Sequence, residues 1–296
     1  MSRNHPFSFV DVFADEPLRG NSLAVVDRAD ELSDTTMRAI AREFNQSETT
    51  FVLTPTDPTA AVRLRSFTAA GSEVFGAGHN ALGAWIWLLE SEPERVAAHS
   101  ELTQQIGPDV LPVEASRSTD GRLLVTMSQS APVFGERVAD RHSLAHALGL
   151  DVSAFVSDDT AQVVSTGAAH LMVRVADRRA VDAAKPLPDD LAALLARAGG
   201  EGCYVYSLDP IAPSSVAYAR FVNPTMGITE DPATGTAAGP LAALLVTRGH
   251  VADGKESVIE QGYSMGRPSR IRVSTDGPSI RISGSGLVVA SGELHV

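Results

Sequence analysis

The sequence predicts an α/β (α+β) protein of two related lobes, each holding one buried helix. Three observations predict it. The stretch GITEDPATGTAAGPLAALL, Gly227 to Leu245, joins a carboxylate pair to a glycine turn and then to the run Leu241 to Val246, which has no polar face; a helix apolar all round is normally buried. The stretch RSFTAAGSEVFGAGHNALGAWIWLLE, Arg65 to Glu90, is a weak second copy. Phe67 answers Phe221, and Glu73, Gly78, His79 and Ala81 answer Glu230, Gly235, Thr236 and Ala238 once the offset grows by three residues. The length of 296 residues, 44% of them hydrophobic, suits two lobes, each of about 100–150 residues.

Within each copy a helix starts beside small residues. Ala233, Gly235, Ala237, Ala238 and Gly239 let a ligand approach the backbone, and a helix beginning near Thr236 points unpaired N–H groups at it. Such an opening suits a carboxylate or phosphate. The repeat predicts two of these openings on a shared cleft, gripping a small anion from both sides.

Bulk composition narrows the class. A net charge of −12 with no basic stripe argues against a nucleic-acid partner. A single cysteine, Cys203, rules out an internal disulfide and is compatible with a reducing compartment. The opening MSRNHPFSFV has no apolar signal run, and no stretch is long and apolar enough to span a membrane. A cytoplasmic protein with no membrane partner is expected.

In chain order, Phe7 to Phe13 alternates as a strand does, Asp15 to Asn21 turns, and SLAVV resumes a strand. Ser33 is a good N-cap for a helix to about Phe44, with Met37, Ile40, Ala41 and Phe44 on one face. Glu48 then heads the strand TTFVL; on spacing alone, a glutamate at such a junction reads as solvated. From Pro93 to about Thr119 the pattern is mixed, with a turn at Gly107-Pro108 and a strand near Val110 to Val113. Asp120-Gly121 signals a hairpin before Arg122 to Met127. The lobes are expected to span 1–128 and 129–283.

In the second lobe, Ser165 to Val173 matches Gly20 to Val26 within the repeat. His142 and His146 stand at i and i+4 on a helix from Arg141 to Leu148, which suits zinc, but no glutamate-histidine signature accompanies them and a solvated face is the better reading. Leu187 to Ala198 reads as an amphipathic helix stopped by Gly199-Gly200, and Cys203 to Tyr206 and Val216 to Val222 as strands. The tail from Gln261 alternates as strands broken by glycines.

Six motifs carry a resemblance over the whole chain: DVFADEPLRGNSLAVV (11–26), QSETTFVL (46–53), LRSFTAAGSEVFGAGHN (64–80), STGAAHLMV (165–173), GITEDPATGTAAGPLA (227–242) and QGYSMGRPSRIRV (261–273). In this order they resemble the PhzF-like isomerase family, named for phenazine biosynthesis and related in fold to diaminopimelate epimerase. The resemblance implies two pseudo-symmetric lobes, each a curved, mainly antiparallel sheet around a central helix, with the active site between them and a last strand, about 284–296, returning to the first lobe. It implies isomerisation of a small carboxylate by proton abstraction and reprotonation, without PLP, metal or nucleotide. The example substrate is trans-2,3-dihydro-3-hydroxyanthranilate. A homodimer is expected on the same ground.

Residue by residue, the resemblance makes Glu48, within Ser47-Glu48-Thr49, the general base and then the acid that returns the proton. That role needs a pKa raised by partial burial. Asp231 is the second functional acid and Thr236, where many relatives have serine, a hydroxyl donor. Gly235 and Thr236 supply amides to the substrate carboxylate, and Gly78, His79 and Asn80 supply further donors. Thr166, Gly167 and His170 stand near the ligand in the family, though turn and core roles explain them as well. Gly20 and Asn21 serve a turn or lie near the site. Arg267 pairs with the acids of the second lobe or anchors the strand, the anchor being the better reading.

Three departures bear on the reaction. Ala77 replaces a frequent cysteine, and with Cys203 outside both glycine turns a two-cysteine epimerase is disfavoured. Asn80 stands where relatives carry a small residue, and Ser22 where they carry proline. An amino-acid epimerase or racemase, and a non-catalytic small-acid binding protein, are the competing readings. Retention of Glu48 and Asp231 in full motifs favours catalysis.

Overall fold

A computed structural model describes residues 4–118 and 120–296. The first three residues of MSRNHPFSFV, and Thr119 at the end of the mixed stretch, lie outside the described residues. The chain begins β1 (Asn4–Val12), β2 (Asn21–Val26), α1 (Asp34–Phe44), β3 (Glu48–Leu53), β4 (Val62–Thr68) and β5 (Glu73–Val74). It continues α2 (His79–Ser91), α3 (Pro93–Val96), β6 (Leu102–Ile106), β7 (Asp109–Arg117) and β8 (Leu123–Gln129). Then come β9 (Val133–Val138), α4 (Arg141–Leu148), β10 (Ala161–Ser165), β11 (Ala169–Arg174), α5 (Arg178–Ala183) and α6 (Pro188–Ala198). The last part holds β12 (Gly202–Ser207), β13 (Ala217–Asn223), β14 (Ile228–Asp231), α7 (Gly235–Thr247), β15 (Glu256–Gln261), β16 (Ser269–Asp276), β17 (Ser279–Gly284) and β18 (Gly286–His295). Two compact units divide it: one runs to Ser128 and resumes at Ser283–Val296, and the other is Gln129–Ile282.

In the first unit the strands lie in the order β18–β1–β2–β3–β4–β6–β7–β8. The β2–β3 and β4–β6 pairs are parallel and the others antiparallel. The short β5 pairs antiparallel with Ser66 and Phe67 of β4, beyond the segment that β6 occupies. In the second unit the order is β9–β10–β11–β12–β13–β15–β16, with β14 on β13 as β5 is on β4. Its parallel pairs, β11–β12 and β13–β15, fall at the corresponding places. From β18 to β7 and from β9 to β16 the two units repeat one mainly antiparallel topology, strand for strand.

Each sheet carries a central helix on one face. From His79 to Leu88 every residue of α2 is buried, and the helix packs on β1, β2, β3 and β18. It comes close because Gly83 has no side chain: a Cβ there would stand 2.6 Å from Leu23 and 2.7 Å from Val12. In α7, ten residues between Gly235 and Leu245 are buried, against β10, β11 and β16. Neither helix could sit on a surface, since a single leucine moved from water to such a core contributes about 1.5–3 kcal/mol.

The opposite faces are covered by amphipathic helices. Strand alternation turns Phe51 and Leu53 of β3 and Phe67 of β4 toward Met37, Ile40 and Ala41 of α1. Ser33 caps α1 by accepting the Thr36 N–H at 3.1 Å. In the second unit Cys203 and Val205 of β12 and Val222 of β13 pack with Leu144 and Leu148 of α4 and Leu191, Leu194 and Leu195 of α6.

The internal repeat needs one correction. Phe67 lies in the cluster covered by α1, whereas Phe221 turns to the central-helix side, where its ring meets His170 edge-on at 4.9 Å. Two half-buried ion pairs give the true register. Arg65 holds Glu73 through two bonds of 2.7 and 2.9 Å, and Arg220 holds Glu230 through two of 3.0 and 2.7 Å. Arg65 therefore answers Arg220, and Phe67 answers Val222. Two phenylalanines one position apart had matched by identity, not by the face they occupy.

Candidate active site

In the first unit the site is built where β3 begins and α2 begins. Thr50 lies opposite Ser66 in the β3–β4 ladder, and its hydroxyl bonds Ser66 Oγ at 2.8 Å and the Asn80 carbonyl at 3.3 Å. Thr50 thus faces α2, and strand alternation puts Glu48 on that same face. Glu48 Oε2 lies 3.0 Å from His79 Nε2, with side chains 17% and 9% exposed. Burial pushes the Glu48 carboxyl up to about 7, because a charge in a poorly solvated place is disfavoured.

Asn80 has a different part from the donor that its position suggested. Its Oδ1 accepts the Gly78 N–H at 2.8 Å, and its Nδ2 donates to Ser66 Oγ and to the Gly76 carbonyl, both at 3.0 Å. Both amide hydrogens are spent on the protein, so Asn80 shapes the Gly76–Gly78 loop. Gly78 is the N-cap of α2 and brings no side-chain cap. The first amides of α2, which have no acceptor inside the helix, open beside His79.

In the second unit Asp231 ends β14 and is 7% exposed. Thr234 is the N-cap of α7, but its side chain makes no cap bond. Instead its hydroxyl donates to Asp231 Oδ2 at 2.5 Å. Forgoing the cap costs about 1 kcal/mol and leaves the leading amides of Gly235 and Thr236 uncapped by that side chain. The Thr236 hydroxyl meets His170 Nε2 at 3.4 Å. Burial lowers the His170 pKa to about 4, so the ring is neutral near pH 7.

Two glutamines brace this loop from below, and neither stood out as a site residue in the sequence. Gln261, fully buried, donates to the Asp231 carbonyl at 2.6 Å and to Thr234 Oγ1 at 3.0 Å, and accepts the Thr234 N–H at 3.2 Å and the Tyr204 hydroxyl at 2.8 Å. Gln129 donates to the Gly235 carbonyl at 3.1 Å and accepts the Thr166 hydroxyl at 2.7 Å. Gly262, at φ +82°, lets Gln261 approach: a Cβ there would stand 2.5 Å from the Pro232 carbonyl. Ser269 also donates to that carbonyl, at 2.8 Å, and the Arg267 N–H returns to Gly262 O at 3.0 Å. The QGYSMGRPS segment is thus a clamp on the Asp231 loop, and the run of motif residues was its one signal in the sequence.

The two units are not chemically equivalent. Thr50 opposes Ser66 and Ser66 opposes Val74, while Tyr204 opposes Phe221 and Phe221 opposes Asp231. By that register Glu48 corresponds to Gly202, and Asp231 to Val74. A Cβ on Gly202 would stand 2.6 Å from the Phe221 ring. One unit carries its acid at a strand start with an imidazole beside it; the other gives that space to an aromatic ring and carries its acid in the loop before the helix.

The other sequence candidates sit elsewhere. Cys203 is buried in the α4–α6 core with its thiol pushed up to about 12, which removes it as a thiolate base. His146 lies on the surface 3.3 Å from Asp190. Gly20, at φ +67°, would place a Cβ 2.2 Å from the Val12 carbonyl, so the turn itself demands glycine. Among the described residues no helix is long and apolar enough to cross a membrane.

Comparison with known proteins finds relatives over nearly the whole chain. Residues 10–292 match the family described as phenazine biosynthesis-like protein, PhzC-PhzF. The chain is 32% identical to the trans-2,3-dihydro-3-hydroxyanthranilate isomerase of Pseudomonas aeruginosa, over 99% of this chain and 100% of that protein. A phenazine biosynthesis protein of the PhzF family from Bacillus anthracis has the same fold, with a TM-score of 0.90 and 26% identity over 99% of this chain and 100% of its own. A predicted epimerase from Pseudomonas aeruginosa superposes with a TM-score of 0.81 at 33% identity, over 98% of this chain and 99% of its own.

Proposed function

This chain belongs to the PhzC-PhzF phenazine biosynthesis-like family and is an isomerase, and from that premise we propose that it moves a proton between two carbons of a small carboxylate, with Glu48 as the carrier. The substrate class is that of trans-2,3-dihydro-3-hydroxyanthranilate, the compound in the name of its relative. The observation that carries the reading is the Glu48 carboxyl, half-buried 3.0 Å from His79 Nε2, a position whose burial pushes its pKa up to about 7. Such a group is part carboxylate and part acid at neutral pH, so it can take a proton from carbon and hold it long enough to return it. His79, 3.0 Å away, orients the carboxyl.

In the first unit the amides of His79 and Asn80 at the start of α2 are proposed substrate donors, the Gly78 N–H being taken by Asn80 Oδ1; in the second, Gly235 and Thr236 are proposed substrate-binding residues through backbone and hydroxyl. Preorganised N–H groups of this kind stabilise developing charge without reorganisation. Asp231 is the proposed second acid, kept as an acceptor. The reaction as proposed uses side-chain acid–base groups alone.

A second reading, epimerisation at one carbon, is favoured by the similarity to the predicted epimerase. It has no thiol to draw on, given the burial of Cys203. Both readings are tested by incubating the protein with trans-2,3-dihydro-3-hydroxyanthranilate and, separately, with a panel of chiral amino and hydroxy carboxylates. Loss of the dihydro compound's ultraviolet and NMR signals supports the isomerase reading; inversion of a panel member supports the epimerase reading. Failure with all of them removes both. A homodimer is part of the proposal, and light scattering on the eluting protein tests it.

A further inference from the structure

We propose that Gln261 is a positioning residue: with Tyr204 and Thr234 it forms a buried, one-way hydrogen-bond chain that ends on Asp231 and fixes its Oδ2 as an acceptor. The inference rests on the reading of Asp231 as a site residue.

The direction of the chain follows from its two unambiguous ends. The Thr234 backbone N–H can only donate, and the Asp231 carbonyl can only accept. The first meets Gln261 Oε1 at 3.2 Å and the second meets Gln261 Nε2 at 2.6 Å, so the amide has one permitted orientation. Its second lone pair then takes the Tyr204 hydroxyl at 2.8 Å, and its second hydrogen goes to Thr234 Oγ1 at 3.0 Å. Burial raises the Tyr204 pKa well above the usual tyrosine range, which keeps that phenol a donor.

Thr234 is left with one hydroxyl hydrogen. Among the described residues its acceptor is Asp231 Oδ2, at 2.5 Å. A threonine at an N-cap ordinarily accepts a helix amide; here the glutamine's donation and the pull of the carboxylate turn it the other way. Tyr204 and Gln261 are fully buried and Thr234 is 8% exposed, so water cannot substitute for a missing link. The chain thus presents Asp231 in one rotamer and one hydrogen-bonding role, which divides the labour: Glu48 carries the proton and Asp231 stays a fixed acceptor.

The test uses the full chain carrying 13Cγ-labelled aspartate, with the Asp231 signal identified by Asp231→Asn. At neutral pH, Gln261→Met and Thr234→Val are expected to move that signal, and Thr234→Ser to restore it. With trans-2,3-dihydro-3-hydroxyanthranilate as the probe, the first two lower kcat by about 10- to 100-fold while KM stays within about threefold, and Thr234→Ser recovers kcat. A role in packing alone would leave the carboxyl signal in place in Thr234→Val, which keeps the side-chain shape. An unmoved Asp231 signal in both Gln261→Met and Thr234→Val overturns the proposal without reference to turnover. Should Asp231→Asn be inactive while Gln261→Met and Thr234→Val turn over normally, the chain is refuted and Asp231 stands. Full activity in Asp231→Asn removes both.

Discussion

Glu48 Oε2 stands 3.0 Å from His79 Nε2, joining the first residue of a strand to the first residue of the buried helix beneath it. An acid placed there is withdrawn from water, which is why its pKa rises to about 7, and its polar neighbour holds it in place.

Removing the carboxylate while keeping its shape should stop the chemistry and spare the fold. Glu48→Gln is expected to lower kcat by about 10²- to 10⁴-fold, with an unchanged circular dichroism spectrum. Steady-state kinetics on trans-2,3-dihydro-3-hydroxyanthranilate checks it.

The pH dependence of activity follows from the same group. The base form of Glu48 accumulates as pH rises through about 7, so kcat/KM should climb through an apparent pKa near that value. His170 cannot be the source, since its pKa of about 4 keeps it neutral throughout that range. Its ring C–H resonances should stay fixed from about pH 6 to 8.

Stability responds to the two groups with opposite signs. Folded Glu48 keeps its proton between pH 4.5 and about 7, where the unfolded chain has released it. Its contribution is full below pH 4.5 and is lost as pH rises to 7, by at most about 3 kcal/mol. Folded His170 stays unprotonated between about 4 and 6.5, where the unfolded chain binds a proton, so its contribution is full above pH 6.5 and is lost as pH falls. Urea unfolding across this range should show wild type losing ground to Glu48→Gln as pH rises from 4.5 to 7.

Asn80 is a structural keystone of the first unit's loop. Asn80→Ala removes three hydrogen bonds, the one to Ser66 Oγ buried and those to the Gly78 N–H and the Gly76 carbonyl part-buried. Hydrogen bonds of this kind contribute about 0.5–1.5 kcal/mol each, and a loss of about 3 kcal/mol is expected in urea unfolding, with KM raised because the Gly78 backbone is displaced.

Gly239 tests the brace of the second unit. A Cβ at this position would lie 1.9 Å from Gln129 Oε1, which holds Thr166 and, through its amide, the Gly235 carbonyl. Gly239→Ala is expected to cost about 1–3 kcal/mol and to weaken substrate binding; thermal unfolding and KM report the two effects.

Much of this was legible in the residues. The apolar runs that became α2 and α7, the cap of α1, and the order of motifs all follow from local pattern. What stayed hidden depended on contacts between distant segments. The strand Leu102–Ile106 was lost in a mixed stretch because the polar Gln104 and Gln105 break its apolar pattern; both are buried, Gln104 accepting the Trp85 indole N–H at 2.9 Å and Gln105 accepting the Thr56 N–H at 2.8 Å. Glu48 read as solvated on spacing alone, since nothing beside it in the chain announces the helix that covers it. The helix was expected to begin near Thr236, and only the position of Gln261 shows that the Thr234 hydroxyl before it serves Asp231. The match of Phe67 to Phe221 failed because identity does not record which face of a strand a residue occupies.

The most direct measurement is NMR of trans-2,3-dihydro-3-hydroxyanthranilate in D2O with the wild-type protein and with Glu48→Gln. Proton transfer by Glu48 predicts product formation with deuterium at the reprotonated carbon, to the extent that the carboxyl exchanges with solvent, and neither product nor exchange in the variant. Turnover by Glu48→Gln at a rate near that of the wild type would contradict the account.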